Sequence, residues 1–175
     1  LASSGRLRNL RRPLHEFLET KMFDSEDVEI LLVEDNPADA ELALHALRKS
    51  KIANHILHLK DGVEALDFLF ARGVYASRSP SLRPWLVLLD LKLPKLDGLQ
   101  VLKELKANVA TRAIPVILLT SSSQERDMVA GYQLGVNSYV QKPVNFSEFQ
   151  EVVRQLGMYW LFVNKKPPAS AFLTP

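Results

Sequence analysis

The sequence has no cysteine among its 175 residues, which excludes disulfide bridges, zinc thiolate sites and thiol catalysis. It has no apolar run near the roughly 18 to 20 residues needed to span a bilayer, and no cleavable signal pattern opens it. Glycine is scarce, at seven residues, and neither a P-loop nor a Gly-x-Gly-x-x-Gly fingerprint occurs, so a nucleotide cofactor has no support. No internal repeat is present. An excess of either charge is missing too: 22 Lys and Arg stand against 20 Asp and Glu, a formal balance of +2. Even that small excess lies at the ends. Residues 1–25 carry +2 and the segment from Lys165 onward another +2, leaving 15 basic and 17 acidic residues between Glu26 and Asn164. The body is therefore not a binder of phosphate backbones by charge. These absences predict a soluble, cytoplasmic protein with neither DNA nor membrane as a partner. What is present, 47% hydrophobic and 24% charged residues, suits one compact domain with a sizeable core.

Hydrophobic periodicity divides the chain into alternating strands and helices. Val28 to Val33 reads as a buried strand. Asn36-Pro37 then supplies an N-cap with proline at the first helical position, followed by Ala40, Ala43, Leu44 and Leu47 at helical spacing. Asn54 to Leu59 is a weaker strand, and Gly62 opens a helix whose inward residues are expected at Val63, Leu66, Leu69 and Phe70. A loop rich in Arg, Ser and Pro runs from Arg72 to Pro84. Trp85 to Leu89 is the strongest strand signal, ending at Asp90, and Gly98, Val101, Leu102 and Leu105 mark the next helix. Ile114 to Leu119 is the following apolar run. A helix from about Ser123 to Leu134 stops at Gly135, a candidate C′ glycine, before a short strand from Asn137 to Val140. Asn145 with Glu148 resembles a capping box, and the helix behind it should bury Phe149, Val152, Val153 and Leu156. Trp160 and Val163 continue that stripe if the helix runs through Gly157.

Five strands alternating with five helices imply an α/β domain with a mostly parallel sheet. It occupies residues 26–163, between an N-terminal extension, 1–25, and a C-terminal tail, 164–175. Within the extension, Leu14, Phe17, Leu18 and Met22 fit either a short helix over Pro13 to Phe23 or an unstructured segment. Met158 to Val163 is an apolar run that suits either a homodimer surface, through the last helix and this extension, or packing on its own domain.

Ligands of open parallel sheets bind beyond the carboxyl ends of the strands. Strand one ends in Glu34-Asp35, strand three in Asp90, strand four in Thr120-Ser121-Ser122, and strand five leads to Lys142-Pro143. Singly, each has a plain structural account as a helix cap, a turn residue or a solvated lysine. Together, at four strand ends, they assemble three carboxylates, a hydroxyl and an ammonium. Crowded carboxylates favour a hard divalent cation, Mg²⁺ first, and the ensemble suits phosphoryl chemistry with one carboxylate as nucleophile.

Residues 28 to 156 resemble the receiver domain of two-component response regulators. The motifs are Leu32-Val33-Glu34-Asp35-Asn36-Pro37, Leu88 to Gly98 around Asp90 and Pro94, Leu118-Leu119-Thr120-Ser121, and Tyr139-Val140-Gln141-Lys142-Pro143. Their spacing agrees with that family: 30 residues separate Asp90 from Thr120, and 22 separate Thr120 from Lys142. A finer resemblance is to small single-domain phytochrome-associated receivers, carried by residues 34–39, the long loop before Trp85 and the aromatic extension.

The resemblance implies a flavodoxin-like (βα)5 three-layer sandwich with strand order 2-1-3-4-5. It makes Asp90 the phosphoacceptor, with Lys142 and Thr120 bonding the phosphoryl group. Glu34, Asp35, Asp90 and the Lys92 carbonyl become the Mg²⁺ site, Glu34 acting through a water. Thr120 and Tyr139 become the switch pair, and the Lys142-Pro143 bond is expected to be cis. Lys92 and Ser122 fall where family members set the autodephosphorylation rate. The expected function is a stand-alone response regulator, not an enzyme, phosphorylated by a sensor histidine kinase of bacterial phytochrome type. Alternatives are a phosphate sink or phosphorelay intermediate. An aspartyl-phosphate phosphatase is a further alternative, although those enzymes place a second acid where this chain has Lys92.

Overall fold

The structure is a computed structural model and describes residues 28–53 and 55–173. The sequence readings for residues 1–25, including the Pro13 to Phe23 segment, lie outside the described residues. Five strands form one parallel sheet in the order β2-β1-β3-β4-β5, as the resemblance implied. They are β1 (Ile30–Val33), β2 (Ile56–Leu59), β3 (Leu86–Leu89), β4 (Val116–Thr120) and β5 (Ser138–Gln141). The helices between and after them are α1 (Pro37–Lys49), α2 (Gly62–Leu69), α3 (Gly98–Ala107), α4 (Glu125–Gln133) and α5 (Phe146–Met158).

The unbroken apolar runs of β1, β3 and β4 follow from helices covering both faces of the sheet. Every residue of those three strands is buried. Alternate side chains point to opposite sides, so Leu31, Val33, Val87, Leu89 and Leu118 pack with α2 and α3. Ile30, Leu32, Leu86, Leu88, Ile117 and Leu119 pack with α1 and α5. β1 lies parallel between β2 and β3, with Val33 opposite Leu59 and Leu89. That common register makes the chain leave all three strands at one edge.

Helix starts are set by side chains that bind the first free amides. The Asn36 side chain accepts the Ala38 and Asp39 N–H groups ahead of Pro37. Asp61 caps α2, and Asp97 forms a capping box with Gln100 on α3. Asn145 accepts the Ser147 and Glu148 N–H groups. Gly135 follows the end of α4 at φ 86°, as a C′ glycine should. Gly98 answers a tighter demand: a Cβ there would sit 2.2 Å from the Asp90 carbonyl oxygen. Only glycine lets α3 begin against the backbone of Asp90.

Two sequence readings require correction. In α2 the buried face is Ala65, Phe68 and Leu69, with half-buried Leu66 packed against the same core as expected, whereas Val63 is 41% exposed and Phe70, past the helix end, is only half-buried. An eight-residue helix gives the periodicity barely two turns, and Ala65 carries the buried face without looking strongly apolar. The last helix does run through Gly157, but Val163 is 65% exposed. Tyr159–Val163 is a π turn closed by the Asn164 N–H on the Tyr159 carbonyl. Its wider winding shifts the phase, so Trp160 and Leu161 meet the core. The chain then folds back, placing Lys166 over Trp85 and Phe172 under Arg83.

At Gly157, α5 lies close against the end of α1 and the Ile52 that follows it. A Cβ there would lie 2.8 Å from Ile52 Cγ2 and 2.9 Å from Leu47 Cδ2, both on buried residues. Gly157→Ala should gain about 1 kcal/mol of helix propensity and lose about 1–3 kcal/mol to overpacking. A net loss of about 1 kcal/mol, read from urea unfolding, is expected; a stabilised variant would contradict this packing.

Candidate functional site

The strand ends singled out in the sequence meet at the carboxyl edge of the sheet. Glu34 and Asp35 follow β1, Asp90 follows β3, Thr120 ends β4 and Lys142 lies just past β5. One carboxylate oxygen from each of Glu34, Asp35 and Asp90 lies within 4.8 Å of the others. Glu34 and Asp90 are buried, and Asp35 is exposed.

Lys142 binds this group of acids together. Its Nζ lies 2.5 Å from Glu34 Oε2, 3.0 Å from Asp90 Oδ1 and 3.0 Å from Asp39 Oδ2. β5 delivers it there because the Lys142 N–H donates to the Thr120 carbonyl at 2.7 Å. Burial disfavours the ammonium, but Asp90, Glu34 and Asp39 outweigh burial and hold its pKa above the ordinary lysine value. For Glu34 burial wins, and it pushes the carboxyl above the usual range against the opposing pull of Lys142. The Asn36 N–H donates to Glu34 Oε1 at 3.2 Å, and His58 Nε2 lies 2.8 Å from the Glu34 carbonyl oxygen.

The second oxygen of Asp90 accepts the Lys92 N–H at 2.8 Å. Asp90 is thus fixed from both sides, by an ammonium on Oδ1 and an amide on Oδ2. The Lys92 side chain itself is exposed. Thr120 is completely buried, and its Oγ1 accepts the Ser122 N–H at 3.0 Å. Tyr139 is half-buried, and its hydroxyl reaches the Ser122 carbonyl at 3.5 Å. Ser122 Oγ in turn donates to Asp127 Oδ2 at 2.6 Å. Glu34, Asp35, Asp90 and Lys142 therefore form one cluster, while Thr120 and Tyr139 meet through Ser122.

The cis expectation for Lys142-Pro143 is not met. No cis peptide bond occurs among the described residues, in keeping with the trans preference of about 0.5–1 kcal/mol for bonds before proline. Sequence reasoning also passed over Asp39 as a partner of Lys142, and Asp127 as a partner of Ser122. The one available signal for Asp39 was an acidic residue in the first turn of a helix that already had its cap.

Three carboxylates within this span are hard oxygen donors and fit a small divalent cation. Among the described residues no helix is long and apolar enough to cross a membrane.

Residues 30–154 match the response regulator receiver domain family. Response regulator Rcp1 of Synechocystis sp. is 43% identical over 140 residues, covering 80% of this chain and 93% of Rcp1. The Mn(2+)-bound crystal structure of Rcp1 matches with a TM-score of 0.74 at 41% identity, over 79% of this chain and 98% of that one. The phosphorylated cyanobacterial phytochrome response regulator RcpA gives 0.76 at 39% identity, over 81% and 99%. The bacteriophytochrome response regulator AtBRR gives 0.63 at 51% identity, over 80% and 99%. The chain is a member of the response regulator receiver domain family, with its phosphoacceptor cluster at Glu34, Asp35 and Asp90, and it is closely related to phytochrome-associated response regulators.

Proposed function

We propose that Asp90 accepts a phosphoryl group from the phosphohistidine of a sensor histidine kinase of bacterial phytochrome type, and that the phosphorylated protein signals in the cytoplasm by protein contact. The observation that carries this reading is the Asp90 carboxylate, held between the Lys142 ammonium and the Lys92 amide beside two further acids. The kinase type is supported by relatives described as phytochrome and bacteriophytochrome response regulators.

In the reaction an Asp90 oxygen attacks phosphorus while the bond to the histidine ring nitrogen breaks, and the electron pair leaves with that nitrogen. Lys142 already lies 3.0 Å from Asp90, so its charge meets the phosphoryl group without a long movement. Glu34 through a water, Asp35, Asp90 and the Lys92 carbonyl would hold Mg²⁺, which when bound supplies neutralising charge for the phosphoryl oxygens. The Thr120 hydroxyl then bonds the phosphoryl group, and Tyr139 moves into the space that Thr120 leaves. Reversing a 1:99 population takes about 5.5 kcal/mol, against about 1.5–3 kcal/mol for one hydrogen bond to a charged group. Thr120 and Lys142 must therefore act together.

Incubation with acetyl phosphate and Mg²⁺ tests the reading. A single phosphoryl adduct mapping to Asp90 supports it, and multiple turnover on unrelated phosphoesters refutes it. Transfer from phosphorylated phytochrome-type kinases should outpace transfer from unrelated kinases.

The aromatic extension bears on assembly. Trp160 and Leu161 pack inward, while Tyr159, Phe162 and Val163 are 50%, 60% and 65% exposed. These three residues and α5 form the proposed homodimer surface. Sedimentation should give a dimer that Phe162→Glu converts to monomer; monomers of the unaltered protein, with and without phosphorylation, would sink this.

A further inference from the structure

Ser122 makes four hydrogen bonds, and each of its polar groups reaches a different part of the switch region. Its N–H holds Thr120 Oγ1 at 3.0 Å. Its carbonyl faces the Tyr139 hydroxyl at 3.5 Å. Its Oγ accepts the Gln124 N–H at 3.3 Å and donates to Asp127 Oδ2 at 2.6 Å. Ser122 is buried, at 4% exposure, so no competing water bond comes free of cost when any of these is lost.

The bond to Asp127 is the one that ties this loop to a helix. Asp127 lies in the first turn of α4, whose N-cap Gln124 makes no side-chain capping bond. The carboxylate is an ionised acceptor at short distance, the stronger class of hydrogen bond. Its side chain is 18% exposed, and its charged neighbour Arg126 is 3.7 Å away and 82% exposed, too solvated to draw Asp127 off Ser122.

The mechanical consequence follows from the connectivity. Thr120 cannot carry its hydroxyl toward Asp90 without either breaking the Ser122 N–H bond or dragging Ser122 along. If Ser122 moves, its Oγ must part from Asp127 or pull the first turn of α4 with it. The same displacement disturbs the carbonyl that faces Tyr139. We propose that Asp127 is a positioning residue: through Ser122 it latches Thr120 and Tyr139 in the arrangement seen here and so sets how readily the protein enters the phosphorylated state. It touches neither the phosphoryl group nor Asp90. The proposal rests on Asp90 phosphorylation with Thr120 and Tyr139 as the switch pair.

The test is the initial rate of phosphorylation of the full chain by acetyl phosphate with Mg²⁺, followed by intact mass. Asp127→Ala should raise the rate on the order of tenfold, the shift one charge-assisted hydrogen bond can carry. Asp127→Asn keeps an acceptor oxygen for Ser122 but not its charge, and should fall between the unaltered protein and Asp127→Ala. A second readout is amide hydrogen exchange in the unphosphorylated protein, where Asp127→Ala should speed exchange at Ser122 and leave β3 unchanged. Combining Ser122→Ala with Asp127→Ala should add nothing to exchange of the loop beyond Ser122→Ala alone, since that variant already lacks the Asp127 bond along with the one from the Gln124 N–H. A purely structural role would leave the rate unchanged or lower it, and that result overturns the proposal while Asp90 still takes the phosphoryl group. Should Asp127→Ala unfold, loop exchange in Asp127→Asn equal to that of Ser122→Ala overturns it as well. Absence of any Asp90-dependent adduct in the unaltered protein overturns this proposal together with the function it rests on.

Discussion

Asp90→Asn is expected to abolish the phosphoryl adduct formed with acetyl phosphate while leaving the fold intact. The amide is nearly the same size as the carboxylate and still offers an oxygen to the Lys92 N–H, which binds Asp90 Oδ2 at 2.8 Å. What it lacks is an anionic oxygen able to attack phosphorus. Stability should change little, because two effects oppose. Lys142 loses one of its three carboxylate partners, yet Glu34 and Asp39 remain on its ammonium. Meanwhile the repulsion between Glu34 and Asp90, one of the forces raising the Glu34 pKa, disappears. Divalent cation affinity should fall, since one of three clustered carboxylates is gone. Intact mass, a urea titration and a metal titration give the three readings. A full phosphoryl adduct on the variant would place the acceptor elsewhere and remove the functional reading.

Where the sequence was informative, the physics was local or repeated. β1, β3 and β4 read as continuous apolar runs because both faces are covered, whereas the strand order was legible only through the resemblance to the receiver family. Glu34, Asp35, Asp90 and Lys142 could be gathered beforehand because each follows an apolar run directly, and a parallel sheet sends all its strand ends to one edge. Asp39 was not legible in that way. It sits on a helix rather than at a strand end, and its partner Lys142 is 103 residues away. The Ser122–Asp127 bond spans only five residues, but Ser and Asp in that order also describe an ordinary helix start. The π turn at Tyr159–Val163 escaped because a period of 3.6 was applied to residues that wind more widely. Nor does periodicity see the fold-back that places Phe172 under Arg83 and Lys166 over Trp85.

Lys142 has a double role, and this gives the second large effect. Its ammonium pairs with Glu34, Asp39 and Asp90, and it is also the group proposed to meet the phosphoryl charge. Lys142→Met keeps most of the side-chain volume and removes the charge. Stranding buried carboxylates in this way costs about 3–5 kcal/mol, or roughly 10 °C in Tm for a chain of this size.

The deficit should depend on pH with a definite sign. Without the ammonium, burial and the repulsion from Asp90 act on Glu34 unopposed and raise its folded-state pKa further above its unfolded value. A carboxyl whose folded pKa is raised is a burden above that pKa and is relieved as pH falls through it. The gap between variant and unaltered protein should accordingly be widest near pH 8 and narrow toward pH 5. Mg²⁺ should stabilise the variant more than the unaltered protein, because the cation no longer competes with an ammonium for Glu34 and Asp90. Phosphorylation by acetyl phosphate should nevertheless slow by about 10²–10³, the usual loss when one charge-stabilising group is removed. Thermal unfolding at the two pH values, with and without Mg²⁺, checks the electrostatic half, and the phosphorylation rate checks the chemical half. A variant as stable as the unaltered protein at pH 8 would mean that Lys142 does not hold these acids together.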